Sequence, residues 1–200
     1  MRLYILQQIY YQNNNQYFTG KLDSFNQLIS NCQKCSLSKT RNNFVFGSGN
    51  PNAKIIFVGE APGKHEDLTG SPFAGRSGKI LDQNLSLINM TRKDIYICNV
   101  LKCRPPNNRD PLPSEVDECE PYLINQLYII KPKLIVALGR VAACTILKTK
   151  EALKNLRNKI YKYGGIDLLV TYHPAALLRN PNLKKNVCDD FNLIYKKYIQ

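Results

Sequence analysis

Three polar side chains that could take part in catalysis stand at the ends of short apolar runs in this 200-residue chain. Glu60 follows the first run, Asn99 lies near the end of the second, and His173 follows the fourth. A carboxylate, an amide and an imidazole can together move protons, orient water and read the hydrogen-bonding pattern of a ligand. Asn99 and His173 also have plainer explanations, as an amide that caps a turn and as a structural histidine.

The first run leads into a loop rich in glycine and proline. The run KIIFVGEAPG starts at Lys54, and the loop continues to PFAGRSG, which starts at Pro72. A helical pattern begins near Ser77. Because ligands bind outside the carboxyl ends of parallel strands, this order of strand, loop and helix predicts one wall of a pocket. Glu66 and Asp67 in the loop could equally be a solvated pair or a helix cap.

Short apolar runs alternate with helical patterns along the chain. The predicted strands are residues 55–58, 95–100, 134–138 and 168–171, and a hairpin turn at 163–166 precedes the last of them. The predicted helices are residues 22–29, 77–88, 114–130 with Ser114 as N-cap, 139–147, 151–157 and 183–198. Such alternation predicts an α/β fold: a three-layer α/β/α sandwich around a central, mainly parallel, four-stranded sheet.

The composition narrows the class of protein. Lysine and arginine outnumber the acidic residues by 28 to 15, which favours a polyanion partner such as nucleic acid over a surface that is basic for no functional reason. No apolar run approaches the roughly 20 residues of a membrane span, and the N-terminus does not resemble a signal peptide. We therefore expect no membrane association and an intracellular, reducing compartment. Residues 1–20 form a tail without an assigned role, and 21–200 are expected to form one domain.

The spacing of the cysteines raises the possibility of a metal site. Cys32 and Cys35 form a CxxC pair, and Cys103 and Cys119 follow much later. Four soft ligands suit zinc or an iron–sulfur cluster, whereas scattered core thiols remain an equal alternative by spacing alone. The other three cysteines stand in apolar contexts and are predicted to be core residues.

Several motifs, taken in order, resemble one known family. They are GEAPG followed by ED, then GxPFxGRxG, then NVLKCRPPNNRDP, and finally HPAALLRNP. Each motif alone is weak, but the four together with the cysteine pattern resemble the family 4 uracil-DNA glycosylases, the iron–sulfur branch of the uracil-DNA glycosylase superfamily. The resemblance covers about residues 22–198.

The resemblance implies a DNA repair enzyme of base excision repair. Such an enzyme flips uracil out of DNA and hydrolyses the bond between the base and C1′ of deoxyribose, which leaves an abasic site. It also implies that Cys32, Cys35, Cys103 and Cys119 bind a 4Fe-4S cluster. The role of that cluster in the family is structural, because it ties the N-terminal segment and the loop after the second strand to the core.

The resemblance also assigns roles around the base. His173 is placed against uracil O2, where an N–H donor strengthens as negative charge develops. Asn99 is placed to read uracil O4 and N3–H, a pattern that cytosine reverses. Phe73 is placed to stack on the flipped ring.

Further roles fall on the loop after the first strand. Glu60 and the backbone of Ala61 and Pro62 are placed beneath the base and the sugar, where Glu60 could orient water or stabilise the sugar cation. Glu66 is placed beside C5 of uracil, where it could exclude the methyl group of thymine.

Other residues are expected to contact DNA. Leu177 and Leu178 with Arg179 resemble a wedge that fills the gap left by the flipped base. Phosphate contacts are expected from a set of basic residues, each of which could also be plain surface charge: Arg76, Lys102, Arg104 and Arg109.

Two other functions remain open at this point. The chain could be a metal-stapled DNA-binding module without catalysis, accessory to a polymerase. It could also be a glycosylase for another deaminated base, such as hypoxanthine. Uracil-containing DNA is the expected partner of a monomeric enzyme, and a sliding clamp or a polymerase is an open candidate as a further partner.

Overall fold

A computed structural model describes residues 21–200, so the tail at 1–20 lies outside the described residues. Within 21–200, six strands form one sheet in the order β1-β3-β2-β4-β6-β5. The strands are β1 Ser48–Gly49, β2 Ile55–Gly59, β3 Tyr96–Asn99, β4 Leu134–Leu138, β5 Ile160–Tyr163 and β6 Ile166–Thr171.

The four predicted strands form the parallel centre of this sheet. β3, β2, β4 and β6 pair in parallel, with Gly59 opposite Asn99 and Leu138 opposite Thr171. The predicted count of four strands was too low, because β1 and β5 add antiparallel edges. β1 has only two residues and β5 is partly exposed, so neither contains the apolar run that marks a buried strand. The hairpin between β5 and β6 is confirmed and turns through Gly164 and Gly165, both with positive φ.

Helices cover both faces of the sheet, as the predicted three-layer sandwich requires. The helices are α1 Leu22–Ile29, α2 Lys64–Thr69, α3 Arg76–Ser86, α4 Pro113–Ile130, α5 Arg140–Leu147, α6 Leu153–Leu156, α7 Pro174–Arg179 and α8 Lys184–Ile194. One face of the sheet packs on α1, α4 and α5 through residues such as Val58 and Leu123. The other face packs on α3 and α8 through residues such as Phe57 and Phe191, whose rings stack at 5.9 Å.

All the predicted helices except 22–29 differ by a few residues from the observed ones, and α2 and α7 were not predicted. α4 begins at Pro113 and has Leu112 at its N-cap, so the prediction of Ser114 as the cap was wrong. Glu115 does the capping, since its carboxylate accepts the backbone N–H of Leu112 at 2.9 Å. The last helix ends at Ile194 and continues as a π-helical turn, Tyr195–Ile199.

No helix within residues 21–200 combines the length and the apolar character needed to cross a membrane.

Candidate active site

A cleft of about 610 Å³ opens where the parallel strands end. Its walls come from the loops after β2, β3, β4 and β6, as expected for a parallel sheet. All the residues that the family resemblance assigns to the base and the sugar line this cleft: Glu60, Ala61, Pro62, Glu66, Phe73, Asn99 and His173. Residues far apart in the chain therefore share one site.

His173 and Phe73 face each other across one side of the cleft. Their ring centroids are 5.4 Å apart and the rings are inclined by 30°. His173 is the N-cap of α7, and its Nδ1 accepts the backbone N–H of Ala175 at 3.1 Å. The proton of the neutral ring therefore sits on Nε2, which leaves an N–H donor for a ligand.

The charge state of His173 follows from its surroundings. Burial, together with the nearby Arg179 guanidinium, lowers the pKa of His173 to about 4, against the opposing effect of the Glu66 carboxylate. The imidazole is thus neutral at physiological pH, and it can donate a hydrogen bond without carrying a positive charge.

Asn99 brings an amide to the same side of the cleft. It ends β3, and the Nζ of Lys102 donates to its backbone carbonyl at 2.7 Å. Its Oδ1 is buried and is the one buried side-chain oxygen or nitrogen of residues 21–200 without a hydrogen-bond partner. An unpaired buried acceptor lowers the stability of the fold by about 1–3 kcal/mol. A ligand that donates a hydrogen bond to this oxygen would remove that penalty.

Gly59 lies directly behind the Asn99 amide. A Cβ at position 59 would lie 2.3 Å from Oδ1 of Asn99 and 2.9 Å from Cζ of Phe73. Real Cβ atoms do not approach other atoms so closely. The missing side chain therefore leaves the amide and the ring free to face a shared space.

Phe73 reaches this space from an unusual backbone conformation. Its φ is 51°, in the left-handed region, where a bulky side chain is rarely found. Such strain costs about 1–3 kcal/mol and persists only where the surrounding structure enforces it. Phe73 is 4% exposed, so it is packed into the wall of the cleft.

Glu66 braces the loop that carries Phe73. Its Oε2 accepts the backbone N–H of Gly63 at 3.1 Å, and its Oε1 accepts that of Gly75 at 3.2 Å. Asp67, beside it, caps the backbone of Asn42 at 2.9 Å and is almost fully buried. The solvated-pair alternative for these two acids is therefore wrong.

Charged residues also line the cleft. Burial and the nearby Asp110 carboxylate raise the pKa of Glu60 to about 7, against the lowering effect of the Arg140 guanidinium. Arg140 and Asp110 form an ion pair at 3.2 Å. Neither residue was assigned a role from the sequence, although Asp110 stands in the NNRDP motif and Arg140 follows the third apolar run.

The residues predicted to contact DNA are spread around the cleft. Arg109 and Arg179 line it, whereas Arg76, Arg104, Leu177 and Leu178 do not. Arg109 already forms two hydrogen bonds to the Glu115 carboxylate, at 2.6 and 2.9 Å. Leu178 is 47% exposed, whereas Leu177 packs partly against the core.

The prediction that Lys102 contacts phosphate was wrong. Lys102 is completely buried, and its Nζ donates to the Asn99 carbonyl and to Oε1 of Gln126 at 2.6 Å. From sequence alone, a lysine two residues before an arginine is expected to be exposed. Here its side chain turns beneath β3 and holds the end of that strand.

The four cysteines singled out by spacing line one small cavity on the α4 side of the molecule. Donors approach three of the sulfurs. The Tyr122 hydroxyl is 3.1 Å from Cys32, an Arg41 nitrogen is 3.2 Å from Cys103, and the Lys102 backbone N–H is 3.3 Å from Cys119.

The arrangement of these sulfurs bears on what they could hold. Within residues 21–200, no three His, Cys, Asp or Glu side chains are grouped closely enough for a single metal ion. Four thiols around a shared cavity, with N–H and O–H donors directed at the sulfurs, fit the soft donor set of an iron–sulfur cluster. Cys98 is fully buried, as predicted for a core thiol, whereas Cys144 and Cys188 are only partly buried.

Comparison with known proteins gives a consistent result. A sequence model of the uracil DNA glycosylase superfamily matches residues 46–197. The chain is 46% identical over 181 residues to a Type-4 uracil-DNA glycosylase of Archaeoglobus fulgidus. This alignment covers 86% of this chain and 91% of that protein. It is 42% identical to the Type-4 enzyme of Saccharolobus solfataricus, over 86% of this chain and 84% of the relative.

A third relative has the same identity as the second. The chain is 42% identical over 173 residues to a Type-4 uracil-DNA glycosylase of Thermotoga maritima, over 84% of this chain and 90% of that protein. The family resemblance read from the motifs is therefore confirmed, and the chain belongs to the uracil-DNA glycosylase superfamily.

Proposed function

We propose that this chain is a uracil-DNA glycosylase of base excision repair. It hydrolyses the bond between N1 of uracil and C1′ of deoxyribose and leaves an abasic site. The similarity to Type-4 uracil-DNA glycosylases over most of the chain supports this function. The observation that carries it is the unpaired Oδ1 of Asn99, which shares one space with the Phe73 and His173 rings.

Asn99 selects uracil. Its Oδ1 accepts a hydrogen bond from N3–H of uracil, and its Nδ2 donates to O4. Cytosine carries an acceptor at N3 and a donor at N4, so the same amide would face a mismatched pair of groups. The buried position of Oδ1 makes that mismatch costly, because no other group supplies its hydrogen bond.

His173 stabilises the leaving group. When the C1′–N1 bond breaks, its electron pair moves onto the base, and negative charge develops on N1 and O2. The Nε2–H of the neutral imidazole donates to O2 and strengthens as that charge grows. The ring keeps its own proton, since burial already favours the neutral form.

Glu60 acts on the other side of the scissile bond. The sugar carries positive charge as the bond breaks, and an ionised Glu60 stabilises that charge and orients water toward C1′. The water oxygen forms the new bond to C1′, and its proton passes to the carboxylate. A carboxyl with a pKa of about 7 suits this role, because a general base works best near the operating pH.

The rim of the cleft is suited to holding DNA. Leu178 is the exposed apolar wedge, and Arg179 follows it at the mouth of the cleft. Arg76 and Arg104 are placed outside the cleft, where they can contact phosphates and set register. Residues 21–200 would act as one catalytic domain of a monomeric enzyme.

The four-cysteine cavity would hold a 4Fe-4S cluster. Cys32, Cys35, Cys103 and Cys119 would be its ligands, and all the cysteines of the chain are free of disulfide bonds. A bound cluster would supply a cross-link between the segment after α1 and the loop after β3. Free thiols and such a cluster both suit a reducing, intracellular compartment.

One assay tests the proposed function directly. The protein is incubated with a labelled oligonucleotide that contains a single uracil, and abasic sites are then cleaved with alkali. We expect a shorter strand from the uracil substrate and none from cytosine or thymine controls. Saturable DNA binding without cleavage would indicate a non-catalytic module, and cleavage only at hypoxanthine would indicate a different lesion.

A further inference from the structure

The left-handed backbone of Phe73 needs a cause, and the structure provides one outside the cleft. Arg92 precedes β3 and does not line the cleft. Its guanidinium donates to the carbonyl of Phe73 at 2.7 Å and to that of Pro72 at 3.3 Å. Two consecutive carbonyls of the strained loop are thus held by one planar group.

Asp82 of α3 fixes the position of that guanidinium. Its carboxylate accepts from Nε of Arg92 at 2.6 Å and from Nη2 at 3.3 Å. The side chains of Arg92 and Asp82 are 34% and 49% exposed. Ion pairs this exposed add little to the free energy of unfolding. We therefore assign to Asp82 the role of orienting the Arg92 guanidinium.

Gly78 makes the arrangement sterically feasible. A Cβ at position 78 would lie 1.7 Å from the carbonyl oxygen of Phe73 and 2.7 Å from Nη2 of Arg92. The Phe73 carbonyl is therefore pressed against the first turn of α3, with the guanidinium alongside it. The final glycine of the GxPFxGRxG motif is thereby explained by this contact.

We propose that Arg92, oriented by Asp82, is a positioning residue that holds the Phe73 ring in place as the stacking platform for the flipped base. This inference rests on the proposed function and adds a residue that never touches the substrate. Lysine cannot replace Arg92, because one ammonium cannot bind two carbonyls and a carboxylate in the same plane.

The first test follows the ring itself and does not depend on activity. The protein is labelled with 4-fluorophenylalanine, and the Phe73 signal is assigned from its loss in Phe73→Leu. In Arg92→Met we expect the ¹⁹F resonance of Phe73 to shift or broaden, while the signals of Phe57 and Phe191 stay in place. An unchanged Phe73 resonance would overturn the proposal.

The second test measures how the two residues act together. In Arg92→Met we expect kcat/KM on uracil DNA to fall roughly 10²-fold, the scale of a misplaced contact group, while binding of uracil-free DNA is unchanged. Arg92→Lys should behave like Arg92→Met. In a Phe73→Leu background the same Arg92 substitution should have almost no further effect, because its target ring is gone.

Additive losses in this cycle would overturn the proposal. The control is Lys162→Met, which removes an exposed cation of β5 from an ion pair with Asp167 of β6 and should leave both readouts unchanged. If the wild-type protein released no uracil, the proposed function would fall, and the ¹⁹F experiment would still decide whether Arg92 positions Phe73.

Discussion

Two groups of residues that line the cleft, here called the neutral wall and the charged wall, differ in their charge. The neutral wall consists of Asn99, Phe73 and His173, and none of these carries a charge at pH 7. The charged wall consists of Glu60, Asp110 and Arg140. Asp110 and Arg140 form an ion pair, and the pKa of Glu60 is raised to about 7. One wall is built to fit a neutral planar ligand, and the other can change its protonation state.

The difference separates recognition from proton transfer. Because burial lowers the pKa of His173 to about 4, the neutral wall should read the base equally well from about pH 5 upward. Because the pKa of Glu60 is raised to about 7, the charged wall changes state within the physiological range. Substitutions in the neutral wall should therefore alter the activity at every pH. Substitutions in the charged wall should alter the pH dependence of the activity.

The largest effect is expected from Asn99→Leu, which keeps the volume of the side chain and removes its polar atoms. Loss of the base-reading amide should lower kcat/KM on uracil DNA by roughly 10²–10³-fold. The same change removes an unpaired buried acceptor, so the free energy of unfolding should rise by about 1 kcal/mol or more. Single-turnover assays and urea denaturation measure the two quantities.

A matched control for this variant is Asn125→Leu. Asn125 is also buried but lies in α4, where its Nδ2 donates to the Pro121 carbonyl at 2.9 Å. We expect the opposite pattern there, with stability lowered and activity kept. If Asn99→Leu destabilised the protein as Asn125→Leu does, the Asn99 amide would be structural rather than reserved for a ligand.

A smaller loss is expected from Gly59→Ala. The added methyl group would clash with the Asn99 amide and the edge of the Phe73 ring, and it should lower kcat/KM roughly 10²-fold by misplacing both. Gly75→Ala is the matched control, since its Cβ would meet only ordinary contacts at 3.5 Å and its φ is −90°. Equal activity in the two variants would contradict this account of the neutral wall.

The neutral wall was predictable from sequence to a large extent. Buried parallel strands are marked by apolar runs, and their carboxyl ends must share one edge of the sheet. Asn99 and His173 could therefore be placed together from strand order alone. Phe73 could be placed only through the family resemblance, because a phenylalanine in a loop gives no signal of its own in a single sequence.

The charged wall and the supports of both walls were harder to predict. Asp110 and Arg140 meet across 30 positions, and Arg92 reaches Phe73 across 19. Such contacts depend on how loops fold back, which has no local sequence pattern. Lys102 shows the same difficulty, since only the tertiary structure turns its charge inward.

Glu60→Gln is expected to remove the pH dependence of kcat/KM and to leave its value at low pH almost unchanged. Wild-type kcat/KM should rise with pH through a midpoint near 7, because only the ionised carboxyl can accept a proton. The variant should have a flat profile and lose roughly 10²-fold above the midpoint. The two proteins should converge only near about pH 5, where the ionised fraction of Glu60 has also fallen roughly 10²-fold. A profile with the same midpoint in the variant would assign the titration to another group.

The smallest effect is expected from the neighbours of Glu60, and it has a definite sign. The Asp110 carboxylate raises the pKa of Glu60, so Asp110→Asn should move the midpoint of kcat/KM to lower pH. The Arg140 guanidinium lowers that pKa, so Arg140→Gln should move the midpoint to higher pH. Both rates should approach the wild-type value well above the midpoint, where Glu60 is ionised in every variant. Because both neighbours are exposed, the shifts should shrink as salt is added, and shifts of the same sign would contradict an electrostatic origin.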